Sequence, residues 1–392
     1  MGALAVALLT GLAVVPGCGH AGARSGSSAT ASHAVAADAA AAAGAGRAVP
    51  SSITPGPQPA TFTPPVPAPT APASAAVAAS QQPASPPALP LGGCPPPPYT
   101  PPSNPAKPWR PPVLVPEASL PSAPPPTPLT ADTSALDGKG MWIWQFRRTE
   151  GGDPAAVVRR AAVAGLSQLW VRVGDSRDGF YAASYLSELV PLSHAAGLAV
   201  IGWGFPYLWD PVGDAAWTAQ AYGWRAAGGD MLDGFSADIE APTEGTALSM
   251  RRVAVYLGLV RAGAPGRLLV ATVYRPNDYR WSTYPYATMA PYVDAFAPMV
   301  YWGCDQPGPE TLQAVSRLST LRPVHVIGQA YNMAAEGGRT QAPGPAELHQ
   351  VLDLAWSGGA AGVSFWDWQE MTGEEWAELA RYSWFRPAPH VG

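Results

Sequence analysis

Two carboxylates stand two residues apart near the middle of the chain. Residues 233–240 read DGFSADIE, a short, largely apolar run that is typical of a buried strand. Successive side chains of a strand point to opposite faces, so Ser236, Asp238 and Glu240 are predicted to share one face. Neighbouring carboxylates do not ionise freely together, so one of them is expected to keep its proton to higher pH. This pair can therefore supply a general acid, and Glu240, at the end of the strand, is the predicted donor.

Aromatic rings and further polar groups occur where other predicted strands end. Pyranose faces stack on aromatic planes and sugar hydroxyls bond to fixed acceptors, so this combination predicts a carbohydrate site. The residues predicted to bind the substrate are Trp142, Trp144, Asp175, Trp203, Gln329, Trp366 and Asp367. The six histidines are scattered, and no Cys-x-x-Cys or His-x-x-x-His pair occurs, so neither a metal site nor a cofactor is expected.

These residues belong to a region in which short apolar runs alternate with stretches of helical periodicity. Such alternation is typical of parallel strands joined by crossover helices. The predicted strands are 141–146, 168–175, 199–207, 234–240, 268–275, 295–303, 324–332 and 362–369. The segments predicted to be helical are 153–164, 182–196, 211–227, 246–262, 284–292, 309–321, 345–356 and 374–384. Eight such pairs predict an α/β fold, a (β/α)₈ TIM barrel, with its chemistry at the carboxyl ends of the strands.

A doubly wound parallel sheet is the alternative architecture. Such a sheet usually carries a glycine-rich phosphate loop after its first strand. Residues 145–148 read QFRR at this place, which is not such a loop. The barrel is therefore the preferred prediction.

The fourth predicted strand resembles that of the family 18 chitinases and related glycoside hydrolases, which reads Asp-Gly-x-Asp-x-Asp-x-Glu. Asp233, Gly234, Asp238 and Glu240 match this pattern, and Ser236 replaces the middle aspartate. The resemblance covers three of the eight predicted strands. It implies a barrel that hydrolyses a glycan containing N-acetylated sugars.

Two further strands carry this resemblance. Residues 299–301 read MVY, similar to the family's Met-x-Tyr on strand six, and Trp366 is similar to its strand-eight tryptophan. The resemblance implies that Glu240 is the general acid/base and that Asp238 orients the substrate's acetamido group. Tyr301 would bond the forming oxazolinium, and the acetamido oxygen would be the nucleophile.

Other interpretations of the carboxylates stay open. The Asp-x-Glu pattern also resembles the family 25 muramidases, although the aspartate that opens their first strand is absent from residues 142–144. If a protein carboxylate serves as nucleophile or base, the candidates are Asp175 and Asp367. A structural interpretation pairs Asp238 and Glu240 with a nearby arginine.

The composition divides the chain at Asp137. Of the 47 prolines, 30 precede this residue, whereas 14 of the 15 tryptophans follow it. Residues 19–137 are rich in Ala, Pro, Ser and Gly and lack the large apolar residues of a core, so they predict a disordered linker. The barrel domain is then expected over residues 138–387.

Residues 1–18 are predicted to be a leader. An apolar run, too short to span a bilayer, ends at Val15 and continues into Pro-Gly-Cys, which resembles a lipoprotein cleavage box with Cys18 as the lipidated residue. Simple secretion is an alternative, as is a cytosolic protein with an alanine-rich start. In an oxidising compartment, Cys94 and Cys304 can pair as a disulfide. The predicted location is extracellular or at the surface of a GC-rich bacterium.

The net charge of −5 and the lack of a basic stripe argue against nucleic acid as a partner. We predict an exported glycoside hydrolase that acts as a monomer on a polysaccharide and meets a membrane only through its lipid anchor. Two other classes remain. One is a non-catalytic carbohydrate-binding barrel, which Ser236 favours, and the other is a wall-anchored scaffold that binds another protein.

Overall fold

The computed structural model describes residues 86–94 and 113–384. Eight parallel strands close into a barrel, because each pairs with the next and the last pairs with the first. The barrel strands are β1 (Gly138–Ile143), β2 (Gln168–Asp175), β4 (Ala199–Phe205), β5 (Gly234–Asp238), β6 (Leu268–Tyr274), β7 (Ala295–Val300), β8 (His325–Gln329) and β9 (Gly362–Trp366). The predicted (β/α)₈ TIM barrel is thus confirmed. The predicted leader, Cys18 and most of the predicted linker lie outside the described residues.

The helices follow the strands in the expected alternation. Within the described residues they are α1 (Pro154–Val163), α2 (Ala183–Ala195), α3 (Pro211–Gly223), α4 (Met250–Gly263), α5 (Asp278–Thr283), α6 (Tyr286–Met289), α7 (Pro307–Leu318), α8 (Pro345–Ser357) and α9 (Gly373–Arg381). Two features were not predicted. The first is α5, and the second is the two-residue strand β3 (Gly179–Phe180), which pairs antiparallel with the end of β2.

Local chemistry explains where several helices begin. Asp153 and Asp210 each accept a hydrogen bond from a first-turn backbone amide, and each precedes a proline whose missing N–H costs nothing at that position. Thr372 forms a capping box with Glu375 at the start of α9. These caps fix the entry of the crossover helices.

The first strand begins earlier than predicted. The sequence Gly138-Lys139-Gly140 has low strand propensity, yet all three residues pair with β9 in register. The strand ends at Ile143, and Trp144 lies just beyond it. The other barrel strands begin within one residue of their predicted starts, and most of them end earlier than predicted.

The described part of the predicted linker packs on the barrel. The Val115 amide donates to the Trp209 carbonyl at 3.0 Å, and Leu120 is buried. Leu136 is fully buried, and its carbonyl accepts from the Gln168 side chain at 3.1 Å. These anchors are single apolar residues among prolines, too sparse to be recognised from composition.

A disulfide joins residues 86–94 to the barrel. Cys94 and Cys304 are bonded, with their Cα atoms 5.7 Å apart, so the pairing left open by the sequence is present. Leu89 and the Gln306 side chain exchange two hydrogen bonds of 2.8 and 3.0 Å beside it. Across the described ranges, no helix combines the length and apolarity needed to cross a bilayer.

Candidate active site

A cleft opens at the carboxyl ends of the barrel strands. This is the end at which barrel chemistry is expected, because the βα loops meet there. Side chains from all eight barrel strands, or from the loops that follow them, line the cleft. They are Trp142, Trp144, Arg172, Trp203, Phe205, Tyr207, Asp238, Glu240, Glu244, Thr272, Met299, Tyr301, Ile327, Tyr331, Glu336 and Trp366.

The four predicted tryptophans converge on one wall and the floor of this cleft. Trp142 lies deepest, and its indole N–H donates to the Ser364 hydroxyl at 2.7 Å. The rings of Trp203 and Trp366 stand edge to face with centroids 5.4 Å apart, and Trp144 and Trp366 lie 6.4 Å apart. Trp144 and Trp366 remain half-buried, so their rings offer faces to a ligand. The structure therefore brings these predicted residues together.

Asp238 and Glu240 both line the cleft, as the period-two pattern predicts. They are buried, with exposed fractions of 6% and 3%. Burial, opposed by the Arg172 guanidinium, raises the pKa of Asp238 to about 7. Burial and the neighbouring carboxylates of Asp238 and Glu244 raise the pKa of Glu240 well above its usual range. The pair therefore holds a proton at neutral pH, which a general acid requires.

The two carboxylates differ in their hydrogen bonds. Oε2 of Glu240 accepts from the Tyr274 hydroxyl at 3.0 Å. Oδ1 of Asp238 is buried and has no hydrogen-bond partner among the described residues, although its side chain lines the cleft. A buried acceptor without a partner is costly, so this oxygen is suited to receive a donor from a ligand.

Tyr274 is a site residue that the sequence analysis missed. Its hydroxyl also accepts from the Ala241 amide at 3.3 Å, and the Arg280 guanidinium covers its ring at 3.4 Å. The Tyr286 hydroxyl donates to the Tyr274 carbonyl at 2.9 Å. A signal was present, because Tyr274 is the penultimate residue of the predicted strand 268–275, but only the strand register places it beside Glu240.

The position of the replaced aspartate is occupied by a neutral pair. Ser236 is fully buried, and its hydroxyl bonds to that of Thr272 at 2.8 Å. Tyr301, the third predicted catalytic residue, lines the cleft and meets Tyr331 edge to face at 5.7 Å. Burial and the nearby Tyr331 and Asp238 raise the pKa of Tyr301, so its hydroxyl stays protonated and can donate.

Three further charged residues line the cleft that were not predicted. Arg172 projects from β2, with its guanidinium 5.5 Å from the Trp203 ring. Glu244 and Glu336 lie in short 3₁₀ turns after β5 and β8. Burial raises the pKa of Glu336 to about 7, and the Tyr331 hydroxyl donates to it at 3.2 Å. Arg172 could have been recognised as a candidate site residue, because it is a charged residue inside an apolar strand. Glu244 and Glu336 lie in loops, where no sequence pattern distinguishes them.

Asp175, predicted to bind substrate or act as a second carboxylate, does not line the cleft. Oδ1 accepts from the Arg177 and Asp178 amides at 2.8 and 3.0 Å, and Oδ2 pairs with Arg172 at 2.9 Å. These bonds hold the β2–β3 turn and leave both oxygens engaged. The structure therefore does not bring Asp175 to the cleft, because the turn amides and Arg172 take the carboxylate, and its role in the reaction stays a prediction.

Asp367 and Gln329, also predicted to bind the substrate, do not line the cleft either. Oδ1 of Asp367 accepts from the Glu370 amide at 3.1 Å, and burial raises the pKa of Asp367 to about 7. Gln329 is fully buried. Its side chain accepts from the Gly303 amide and donates to the Tyr331 carbonyl, each at 2.8 Å, so it ties two loops together. The Asp367 side chain thus bonds to a backbone group of its own loop. The Gln329 side chain bonds to one backbone group after β8 and one after β7.

The carboxylates of the cleft can also be compared with the ligand sets that hold metal ions. Within residues 86–94 and 113–384, no group of three histidine, cysteine, aspartate or glutamate side chains is arranged to hold a metal ion. The acids of the cleft are instead bonded to tyrosines or face its interior. Their chemistry is that of proton donors and acceptors.

No family model and no curated protein sequence matches the chain. The fold is similar to several solved structures. The spore cortex-lytic enzyme SleL of Bacillus cereus is 11% identical, with a TM-score of 0.45 over 63% of this chain and 75% of that one. A GH18 chitinase from Pseudoalteromonas aurantia is 10% identical, with a TM-score of 0.46 over 62% and 99%. A chitinase from Chromobacterium violaceum is 10% identical, with a TM-score of 0.47 over 62% and 98%. At these identities and TM-scores nothing about the activity or substrate of this chain follows from the likeness.

Proposed function

We propose that the protein is an exported glycoside hydrolase that cleaves an N-acetylated polysaccharide, with Glu240 as the general acid/base. The observation that carries the proposal is the buried, proton-holding Asp238–Glu240 pair in a cleft walled by tryptophans. A buried carboxyl with a raised pKa is the group that protonates a glycosidic oxygen at neutral pH.

The reaction begins when the Glu240 carboxyl gives its proton to the glycosidic oxygen as the C1–O bond breaks. The acetamido oxygen of the same sugar forms a bond to C1, which gives a cyclic oxazolinium and releases the leaving sugar as an alcohol. The Glu240 carboxylate then takes a proton from water while the water oxygen attacks C1. The oxazolinium ring opens, and the proton is again on Glu240.

The surrounding residues support this substrate-assisted route. Oδ1 of Asp238 lacks a partner and can accept the acetamido N–H, while the Tyr301 hydroxyl can donate to the acetamido carbonyl. A route with a protein nucleophile has less support, because neither Asp175 nor Asp367 lines the cleft. Glu244 and Glu336 do line the cleft, so they are the remaining candidates for a protein nucleophile beside Asp238.

Export is the part of the proposal that rests on the sequence. The apolar leader and the box ending at Cys18 indicate a lipoprotein, and the disulfide between Cys94 and Cys304 is consistent with an oxidising compartment. A lipid label that is incorporated by the wild type and lost in Cys18→Ala would support the anchor. Equal lipid labelling of the wild type and Cys18→Ala would contradict the proposed lipid anchor.

The activity is tested by the release of reducing ends from chitin-like and peptidoglycan glycans. We expect Glu240→Gln to lower turnover by about 10²–10⁴-fold while glycan binding persists. The matched control is Glu374→Gln, an exposed carboxylate in the first turn of α9. Turnover that Glu240→Gln leaves unchanged would refute the assigned role.

A non-catalytic sugar-binding barrel is the second candidate, and one observation favours it. The neutral Ser236–Thr272 pair stands where the resembling family has a carboxylate. The charge that this carboxylate would place beside Asp238 is therefore missing. This candidate predicts that glycans quench tryptophan fluorescence on binding, that none is hydrolysed, and that Glu240→Gln changes neither result.

A further inference from the structure

A second depression of about 1460 Å³ lies beside the cleft, over the loop after β1 and the start of α2. Its apolar surface comes from Phe146, Tyr181 and Tyr185, and the Phe146 and Tyr185 rings are stacked at 4.8 Å. Its charged lining residues are Arg147, Arg148 and Glu188. We call this depression the arginine groove.

The arginine groove is continuous with the cleft. Trp144 lines both, so one ring forms the ridge between them. The Tyr185 hydroxyl, in the groove, donates to the backbone carbonyl of Arg172, whose guanidinium lines the cleft. A polymer that crosses Trp144 out of the cleft therefore contacts the groove next.

The charges of the two regions are opposite. The acids that line the cleft, Asp238, Glu240, Glu244 and Glu336, come from β5 and from the loops after β5 and β8. The groove instead offers two exposed guanidinium groups against the single carboxylate of Glu188. In the part of the chain that the structure describes, neither arginine forms an ion pair.

Two acidic residues outside the groove lining, Asp367 and Glu370, interact with Arg148 through space. The Arg148 guanidinium donates to the Gln145 side-chain oxygen at 3.0 Å. Burial raises the pKa of Glu370, and Arg148 acts against this rise through space. The groove lining thus keeps an excess of one positive charge, whereas the chain as a whole carries a net charge of −5.

We propose that the arginine groove binds a carboxylate carried by the glycan whose cleavage site occupies the cleft. This inference rests on the proposed function and adds the substrate class, an acidic N-acetylated glycan. Guanidinium groups pair with carboxylates through charge-assisted hydrogen bonds, and the aromatic surface supports the sugar ring that carries the acid. A neutral sugar would leave the positive excess of the groove lining without a counter-charge.

The test compares glycans with and without carboxylates, and the acid and its ester share one sugar skeleton. The probes are a hexamer of N-acetylglucosamine, a hexamer in which it alternates with N-acetylmuramic acid, and the methyl ester of the latter. Binding is measured by calorimetry on the full chain carrying Glu240→Gln, which prevents turnover. We expect the free acid to bind about tenfold more tightly than its ester at low salt, with a smaller difference at high salt.

Arg147→Gln/Arg148→Gln should bring this ratio to within about twofold of unity. The matched control is Arg159→Gln/Arg381→Gln, which removes two exposed arginines outside the groove and should keep the wild-type ratio. Equal binding of acid and ester, or a preference that survives in the groove variant, overturns the inference while leaving the hydrolase proposal intact. Failure of all three hexamers to bind overturns both.

Discussion

The Tyr274 hydroxyl lies 3.0 Å from Oε2 of Glu240 and donates a hydrogen bond to it. The bond holds one oxygen of the buried carboxyl in place, so the other oxygen is free to carry the transferable proton toward the cleft. The Arg280 guanidinium over the Tyr274 ring, and the backbone amide of Ala241 at its hydroxyl, fix the tyrosine in turn. Tyr274 is therefore a positioning residue for the proposed acid.

Replacing Tyr274 with phenylalanine tests this relationship. The hydrogen bond stabilises the charged carboxylate and lowers the pKa of Glu240, so its loss should raise that pKa. An acid must be protonated to act, so the high-pH limb of the kcat profile should move to higher pH. We also expect kcat to fall about 10–100-fold, with KM nearly unchanged.

The control for this variant is Tyr222→Phe. Tyr222 is buried outside the cleft, and its hydroxyl donates to the Leu268 carbonyl at 2.7 Å. Its loss should lower the free energy of unfolding by about 1 kcal/mol and leave the pH profile in place. The same profile in Tyr274→Phe and the wild type would contradict the positioning role.

Asp238 should make the protein less stable as the pH rises. Its pKa is raised from 3.8 to about 7 in the folded chain. Between these values the folded chain keeps a proton that the unfolded chain has lost, so the free energy of unfolding falls as the pH rises through this window. Asp238→Asn cannot lose this proton, because an amide does not titrate.

We therefore expect Asp238→Asn to be more stable than the wild type at pH 8 by on the order of 2 kcal/mol, and to gain little at pH 4. Thermal unfolding at both pH values measures the difference. A gain of equal size at both pH values would show that packing, rather than the buried charge, is responsible.

The disulfide between Cys94 and Cys304 should stabilise the barrel by closing a loop across 210 residues of sequence. Removing such a bond costs about 2–5 kcal/mol, largely because the unfolded chain gains freedom. We expect a reductant to lower the Tm of the wild type to that of Cys94→Ser/Cys304→Ser and to leave the variant's own Tm unchanged. Limited proteolysis should cut residues 86–94 faster in the variant. A Tm that does not respond to reductant would contradict this role.

Much of the site could be predicted where a single strand determines it. Asp238 and Glu240 share a face because a strand alternates its side chains, and that rule needs no partner. The tryptophans at strand ends converge for a similarly simple reason, since parallel barrel strands all end at one face. Trp144, Trp203 and Trp366 meet there as predicted.

The placement of Asp175, Gln329 and Asp367 outside the cleft has a shared physical cause. Each stands at or just after the end of a strand, which made it a candidate, but backbone groups of the following loop take up its polar atoms. A loop amide at hydrogen-bond distance competes with any ligand for the same oxygen. The sequence pattern shows where a strand ends and does not show how the loop folds back.

The sequence alone determined the alternation of strands and helices, the division of the chain near Asp137 and the carboxylate pair at the end of the fourth barrel strand, where Glu240 lies two residues beyond β5. These follow from periodicity and composition, which are local properties. Only the tertiary structure decided which groups meet that pair. The register of β5 and β6 sets Asp238 beside Thr272, and so brings Tyr274 level with Glu240. Such neighbours are fixed by barrel closure between distant segments, which no local pattern records.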